Sequence, residues 1–145
     1  MEPALLRKVI EELIPFNRFL GISAPILEKG FSRLEVPWRD ELIGDPVKGA
    51  MHGGVISALA DTAGGMAVWS ALDNPVARVS TIDLRIDYLR PGRRERLIAE
   101  AIIVRVGGRV GVADIRLFHP DNEQETVATG KGVYAIKVPK DRRPE

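Results

Sequence analysis

The 145-residue chain contains no cysteine, which excludes disulfide bonds, thiol nucleophiles and cysteine-ligated metal sites. Its two histidines lie far apart and have no metal-ligand spacing, so we expect neither a metal nor a resident cofactor. Basic and acidic residues nearly balance at a net charge of +1, which does not favour nucleic acid or an anionic membrane as a partner. The N-terminus has scattered charges and no apolar core, so we expect no secretory signal and predict a cytoplasmic protein.

One stretch dominates the chain: residues 52–72, HGGVISALADTAGGMAVWSAL, are apolar almost all the way round. They predict a single helix about 30 Å long with one charged side chain, Asp61, buried in it. A central carboxylate and flanks without basic or aromatic anchors argue against a membrane span. Gly64 and Gly65 each cost about 1 kcal/mol relative to alanine inside a helix, which indicates that neighbouring groups approach closely there.

The residues before this helix predict a short α+β segment. An amphipathic pattern favours a helix over residues 3–14, with Leu5 and Leu13 on its apolar face, followed by a turn over residues 16–20. Two strands, residues 22–28 and 31–37, are expected to form a hairpin through Lys29 and Gly30. The glycines and proline of residues 38–51 indicate a loop.

Four strands are predicted after the long helix, over residues 79–89, 97–106, 109–118 and 126–138. Alternation in the first strand predicts that Ile82 shares one face with Leu84, Ile86 and Tyr88. Gly107 and Gly108 indicate a two-residue hairpin turn, and residues 119–125 a polar turn with an exposed His119. Residues 139–145 are expected to be frayed.

This order of elements predicts a fold of the α+β class. A hairpin, a long buried helix and a four-strand antiparallel meander are typical of the hot-dog fold, in which a curved sheet wraps around one central helix. We therefore predict a single domain over residues 1–145, with its core over about residues 20–137 and an extra N-terminal helix.

Three segments carry a family resemblance: HGG and ALAD within residues 52–61, STIDLRIDYLRPG at 80–92, and RVGGRVGVADIRLF at 105–118. HGG alone is a weak motif, but an acid nine residues after the histidine and the following strand make the combination specific. Together they resemble the PaaI-like phenylacetyl-CoA thioesterases, over roughly residues 20–137. The resemblance implies a hydrolase that cleaves an acyl-CoA thioester, with coenzyme A entering only as part of the substrate.

The chemistry also follows from the helix itself. A helix N-terminus presents unpaired N–H groups and a positive dipole end, and Gly53 lets a carbonyl oxygen approach them. This arrangement is suited to stabilising an oxyanion. Asp61 is the only ionisable group within the helix and is the natural general base or nucleophile. A structural role for Asp61, and a packing role for Gly53 and Gly54, are the alternative interpretations.

These two groups lie too far apart on one helix to act on one substrate. Eight residues separate Gly53 from Asp61, about 12 Å along the axis, whereas reacting atoms must come within about 3–3.5 Å. A second copy of the chain, related by a two-fold axis, could bring its Asp61 beside Gly53. We therefore predict an obligate homodimer with two composite sites and its further assembly into a dimer of dimers. The family resemblance implies the same sharing of residues between subunits.

The resemblance also implies supporting residues. A serine or threonine on the strand after the helix supports the acid in such thioesterases, and the matching position is Thr81, with Ser80 beside it. Family members often have an asparagine six residues before the histidine, where this chain has Pro46. His52 is expected either to cap the helix or to contact substrate. Met51, Met66 and Trp69 are candidates for the wall of an acyl pocket, with core packing as the alternative.

Arginine is concentrated between residues 78 and 109, where eight arginines face four acidic residues, a local charge of +4. Most are expected to be solvated. Guanidinium groups suit bidentate phosphate contacts, and Arg90 and Arg109 are our candidates for binding the phosphates of coenzyme A.

An acyl-CoA thioesterase is the function that these features favour, acting through water or through a covalent anhydride on Asp61. A non-catalytic acyl-CoA-binding hot-dog protein is the first alternative. A hot-dog acyl-CoA dehydratase or hydratase is the second, and it is disfavoured because Asp61 has no histidine partner in the sequence pattern.

Overall fold

The computed structural model describes residues 2–139. Two short helices open the chain, α1 (Pro3–Lys8) and α2 (Pro15–Leu20), joined by a π-helical turn, Val9–Leu13. The predicted helix over residues 3–14 is thus α-helical only in its first half. Residues 16–20, which were expected to form a turn, are helical because Pro15 occupies the favoured first position of a new helix. Leu5 and Leu13 are exposed, since the turn of the chain leaves Leu6 and Ile10 as the buried residues of this segment.

The long helix α3 spans Gly53–Ser70, as predicted, and lies against one face of the main sheet. Most of its residues are buried. Gly64 fits closely against the last strand, because a Cβ atom there would overlap the hydroxyl group of Tyr134. Gly65 is less constrained, since its Cβ would make only ordinary contacts with the same ring.

The main sheet is antiparallel and has six strands: β1 (Ser23–Glu28), β2 (Phe31–Val36), β5 (Arg78–Tyr88), β6 (Leu97–Val106), β7 (Val110–His119) and β8 (Asn122–Lys137). Their order in the sheet is β1-β2-β6-β7-β8-β5. The predicted hairpin is confirmed: β1 and β2 are joined by Lys29 and Gly30, and Gly30 adopts a positive φ of 80°. The predicted four-strand meander is wrong in one respect. Strands β6, β7 and β8 are consecutive neighbours, but β5 crosses to the far edge and pairs with β8.

The connections are more ordered than the sequence predicted. Residues 38–51 contain a 3₁₀ turn, Asp40–Leu42, and a small two-stranded sheet made of β3 (Ile43–Asp45) and β4 (Ala50–Met51). Three residues, 107–109, rather than two separate β6 from β7. The polar turn after β7 is short, because β8 already begins at Asn122.

His119 is buried, at 2% exposure, which corrects the expectation that it faces solvent. Its Nε2 accepts a hydrogen bond of 2.9 Å from the Arg93 N–H, and its Nδ1 lies 2.8 Å from the Arg96 carbonyl oxygen. The imidazole ring therefore joins the loop that follows β5 to the end of β7, and it lies buried between them.

A β-bulge between Thr81 and Asp83 changes the phase of strand β5. The predicted alternation holds after the bulge, where Leu84 and Ile86 pack on the core. It fails for Ile82, which is 58% exposed because the bulge turns Thr81 rather than Ile82 towards α3.

The two edges of the main sheet differ. At β1 the edge is interrupted by Pro25, and Ala24 is engaged by the side chains of Arg7 and Glu11 at 2.9 and 2.8 Å. At β5 the outer edge runs for eleven residues, and no described strand pairs with it. Proline and covering side chains are common means of protecting a sheet edge from pairing, so β5 is the edge left available.

Within residues 2–139 no helix is long and apolar enough to cross a membrane. The predicted frayed tail lies outside the described residues except for Pro139.

Candidate active site

The N-terminus of α3 offers a free backbone donor. His52 caps the helix, since its Nδ1 accepts a hydrogen bond of 2.8 Å from the Gly54 N–H. The Gly53 N–H makes no hydrogen bond within residues 2–139. On its other side Gly53 is held in place, because the Tyr88 hydroxyl donates a hydrogen bond of 3.1 Å to its carbonyl oxygen. The Gly53 N–H therefore lies at the positive end of the helix dipole and is available to donate a hydrogen bond to a ligand.

Asp61 lies in the third turn of α3 and is partly exposed, not buried as the sequence suggested. Its Oδ1 accepts a hydrogen bond of 2.8 Å from the Thr81 hydroxyl. Its Oδ2 is not held by Thr81, and the neighbouring Tyr134 hydroxyl is the other group that interacts with the carboxylate. One carboxylate oxygen is therefore fixed in position while the other is available to accept a proton.

Tyr134 supports the helix at the same level. It is buried, and its hydroxyl donates a hydrogen bond of 3.0 Å to the backbone carbonyl of Asp61. Burial raises the pKa of Tyr134, and the neighbouring Asp61 carboxylate raises it further. The phenol therefore stays protonated at neutral pH and keeps donating to the helix.

Asp61 opens onto a cavity of about 260 Å³. Ser80, Thr81 and Tyr134 line it on the sheet side, so the structure brings the predicted acid, Thr81 and Ser80 together. Of the three candidates for an acyl pocket, Met66 and Trp69 are in the wall. The remaining lining residues are Ile14, Phe16, Asn17, Thr62, Gly65 and Val79.

The residues at the helix N-terminus are not part of this cavity. Met51 is buried, and its N–H donates a hydrogen bond of 2.9 Å to the Gly92 carbonyl, so it packs beneath the start of α3. Gly53 and Asp61 are eight residues apart on one straight helix, about 12 Å along its axis. The Gly53 N–H and the Asp61 carboxylate of one chain are therefore too far apart to contact the same thioester carbonyl.

The two arginine candidates differ in their surroundings. Arg90 donates a hydrogen bond of 2.7 Å to the Thr126 carbonyl and lies 3.5 Å from the Glu125 carboxylate. The Arg109 side chain has no hydrogen bond or ion pair within residues 2–139 and borders a second cleft. Arg109 is therefore the freer of the two cations.

Sequence reasoning missed the two tyrosines. Tyr88 contacts Gly53 and Tyr134 contacts Asp61, so each end of the site on α3 is held by one of the chain's only two tyrosines. Both tyrosines lie on predicted strands. A buried tyrosine hydroxyl usually has a hydrogen-bond partner, and this was the signal in the sequence that could have identified them. The described part of the chain contains no group of three or more histidine, aspartate or glutamate side chains that could hold a metal ion.

Comparison with known proteins decides the family. The sequence model described as "Thioesterase superfamily" matches residues 48–126, which is more than half of the chain and includes α3 and strands β5 to β7. The chain belongs to the thioesterase superfamily.

Individual relatives agree with this assignment. This thioesterase is 47% identical over 124 residues to VNG_1336C of Halobacterium salinarum, and the match covers 81% of this chain and 82% of the relative. The relative's name describes it as an esterase and states no substrate. It is 34% identical over 135 residues to YigI of Escherichia coli, named a medium/long-chain acyl-CoA thioesterase, with coverage of 85% and 86%.

A solved structure agrees as well. The PaaI protein of the Escherichia coli phenylacetic acid degradation operon superposes with a TM-score of 0.79 at 26% identity, covering 91% of each chain. The predicted hot-dog fold and the resemblance to PaaI-like thioesterases are confirmed, and the thioesterase is a thioester hydrolase.

Proposed function

We propose that this thioesterase hydrolyses an acyl-CoA thioester to a free carboxylic acid and coenzyme A. The observation that carries the proposal is the Asp61 carboxylate, held by Thr81 and facing a cavity with an apolar wall. The similarity to YigI, which is named an acyl-CoA thioesterase, supports the choice of substrate class.

The free oxygen of Asp61 would act as general base. It takes a proton from a water molecule, whose oxygen attacks the carbonyl carbon of the thioester. The Gly53 N–H stabilises the negative charge that develops on the carbonyl oxygen. When the tetrahedral intermediate collapses, the carbon–sulfur bond breaks, and the thiolate of coenzyme A leaves and is protonated.

This mechanism requires two copies of the chain, because the donor and the base are about 12 Å apart within one copy. The long free edge of β5 supports pairing with the same strand of a second copy. Part of α3 beside it is also incompletely covered in the single chain: Ser57, Ala58, Asp61 and Thr62 are all partly exposed. We infer a two-fold dimer in which Gly53 of one subunit meets Asp61 of the other.

The contacts of β5 suggest the register of this dimer. On β5, Thr81 is hydrogen-bonded to Asp61 and Tyr88 is hydrogen-bonded to Gly53, so these two strand residues lie beside the two halves of the proposed site. In an antiparallel pair of identical strands, residues equidistant from the centre lie opposite each other. Because the bulge contributes one extra residue between Thr81 and Asp83, the midpoint between Thr81 and Tyr88 falls at Arg85. Pairing centred on Arg85 therefore brings each Asp61 towards the other subunit's Gly53.

The same register balances charge around Arg85. Asp83 and Asp87 flank it on β5, and Asp87 already lies 3.2 Å from the Arg85 guanidinium. In the dimer, the two arginines at the centre would be surrounded by four carboxylates from the two strands.

The acyl chain is assigned to the cavity beside Asp61. Its volume of about 260 Å³ and its wall of Ile14, Phe16, Met66, Trp69 and Val79 suit an aliphatic or aryl group. Because Ile14 and Phe16 belong to the N-terminal segment, we infer that this segment contributes to acyl selection.

Asp61→Asn tests the proposed function. The substitution keeps the shape and a hydrogen-bond acceptor for Thr81 but removes the base, so thiol release from phenylacetyl-, hydroxybenzoyl- and straight-chain CoA esters should be abolished while the oligomer remains folded. Unchanged turnover would refute the role of Asp61. Binding of acyl-CoA without hydrolysis by the unmodified chain would favour the non-catalytic alternative instead.

A further inference from the structure

The indole nitrogen of Trp69 is buried without a hydrogen-bond partner. Among residues 2–139 it is the only buried side-chain nitrogen or oxygen atom for which no partner is present. Buried donors in proteins are almost always paired, and an unpaired one costs about 1–3 kcal/mol. The Trp69 N–H therefore needs an acceptor that residues 2–139 do not supply.

The other tryptophan, Trp38, does not share this property. Trp38 and Trp69 are the chain's two tryptophans, and both pack partly buried against the main core. Of the two, Trp69 alone has an unpaired buried nitrogen, and Trp69 alone is in the wall of the cavity beside Asp61. The unpaired donor therefore lies at the candidate site.

Trp69 and Asp61 lie at opposite ends of the α3 side of this cavity. The helix residues in the wall run from Asp61 through Gly65 and Met66 to Trp69, a separation of eight residues or about 12 Å along the axis. Long side chains on a helix lean towards its N-terminus, so the Trp69 ring extends towards Gly65, which has no side chain. The ring torsion of tryptophan has a broad minimum, so a small rotation can present the N–H to a group bound in the cavity.

A second buried polar side chain, Asn17, lies in the same wall. It is 3% exposed, and its Nδ2 donates a hydrogen bond of 3.2 Å to the Ile10 carbonyl. The oxygen of this amide is the acceptor that Asn17 can offer to a ligand. The largely apolar wall therefore also contains one donor and one acceptor, which together match the hydrogen-bonding capacity of a hydroxyl group.

We propose that the acyl group of the substrate carries a hydroxyl group near its far end, and that the Trp69 N–H donates a hydrogen bond to this hydroxyl. The inference rests on the proposed function and narrows its substrate class. With the thioester carbonyl beside Asp61, the spacing along α3 puts the hydroxyl several carbon atoms away from the carbonyl carbon. A hydrocarbon acyl group would fill the same space but leave the buried N–H unpaired. Trp69 thus determines which acyl groups are preferred.

Two CoA esters that differ only in a terminal hydroxyl group, octanoyl-CoA and ω-hydroxyoctanoyl-CoA, test this assignment. The unmodified enzyme should have a kcat/KM about 10-fold higher for the hydroxylated ester, because it pairs a donor that the other ester leaves unpaired. Trp69→Phe keeps an aromatic ring but removes the N–H, so this preference should disappear. Met66→Leu alters the same wall without removing a donor and should keep the preference. An unmodified enzyme that does not prefer the hydroxylated ester, or a Trp69→Phe variant that still does, would overturn the proposal.

Binding of the free acids separates this inference from the proposed function, because binding requires no hydrolysis. In a proton–nitrogen NMR correlation spectrum of the full chain, the indole N–H signal that Trp69→Phe removes is that of Trp69, and the Trp38 signal is the internal control. Saturating ω-hydroxyoctanoic acid should shift the Trp69 signal downfield, and octanoic acid should not. If acyl-CoA is not hydrolysed but the hydroxy acid alone shifts this signal, the hydrolytic function fails while the hydroxyl site stands. If both acids shift it equally, or neither does, the hydroxyl assignment fails whether or not acyl-CoA is hydrolysed.

Discussion

The Thr81 hydroxyl donates a hydrogen bond of 2.8 Å to Oδ1 of Asp61, joining strand β5 to helix α3 at the candidate site. The bond fixes one carboxylate oxygen and leaves the other free. It also depends on the β-bulge that turns Thr81 towards the helix, so a local irregularity of the strand sets the position of the proposed base.

Thr81→Val should therefore lower kcat for thioester hydrolysis by about 10- to 100-fold, because a hydrogen bond to a charged group contributes about 1.5–3 kcal/mol. Thr81→Ser retains the hydroxyl and is the control, with an expected kcat close to that of the unmodified enzyme. Full activity of the valine variant would show that this hydrogen bond is structural only.

Gly53→Pro removes the N–H that we assign to the oxyanion. His52 has a ψ of 130°, which suits a residue before proline, and the first helical position tolerates proline. Loss of one oxyanion donor should lower kcat by about 10²- to 10³-fold.

Gly53→Ala controls for the added Cβ atom, which would make ordinary contact with Tyr88. It keeps the N–H and should retain most of the activity. Equal rates for the proline and alanine variants would argue against a role for this donor.

The proposed dimer register can be tested by disulfide formation, because the natural chain has no cysteine. In Arg85→Cys, the two introduced thiols should lie on directly opposed residues with Cα atoms about 4.5–5.5 Å apart, within disulfide range. Mild oxidation should give a covalent dimer on non-reducing electrophoresis.

Asp83→Cys is the matched control on the same face of β5. In that register its copies would be offset by four residues, about 14 Å, and should remain monomeric on the gel. Efficient cross-linking of the Asp83 variant together with failure of the Arg85 variant would contradict the register.

The two glycines inside α3 should respond differently to alanine. Gly64→Ala would displace the buried Tyr134 ring, and such overpacking costs about 1–3 kcal/mol, only partly offset by the better helix propensity of alanine. Gly65→Ala meets only ordinary contacts and should raise the free energy of unfolding by up to about 1 kcal/mol. Urea denaturation of both variants measures the difference, and equal midpoints would refute the packing explanation.

Much of the fold followed from periodicity. The apolar stretch around Asp61 predicted α3 almost to the residue, and β-strand alternation located β5 to β8. The position of β5 next to β8 could not be predicted in the same way, because strand order depends on which edges meet in three dimensions rather than on local pattern. The bulge that exposes Ile82 was missed for a similar reason, since an extra residue in one strand is defined only by its partner.

The candidate site was predicted in part. Asp61, Thr81 and Ser80 were identified from the helix and the family resemblance, and the structure places them around one cavity. The contribution of Ile14 and Phe16 was not foreseen, because the N-terminal segment reaches this cavity only through tertiary packing. His119 was misjudged because a histidine beside a proline in a polar stretch gives no local sign that its ring is buried.

The central claim is that each site combines Gly53 of one subunit with Asp61 of the other, and hybrid dimers test it most directly. Asp61→Asn and Gly53→Pro chains with different tags would be co-expressed, and the hybrid purified through both tags. Each hybrid would contain one site with both defects and one intact site, so it should recover about half the activity of the unmodified dimer although both parents are inactive. A hybrid as inactive as its parents would contradict the account, because it would mean that both groups act within a single chain.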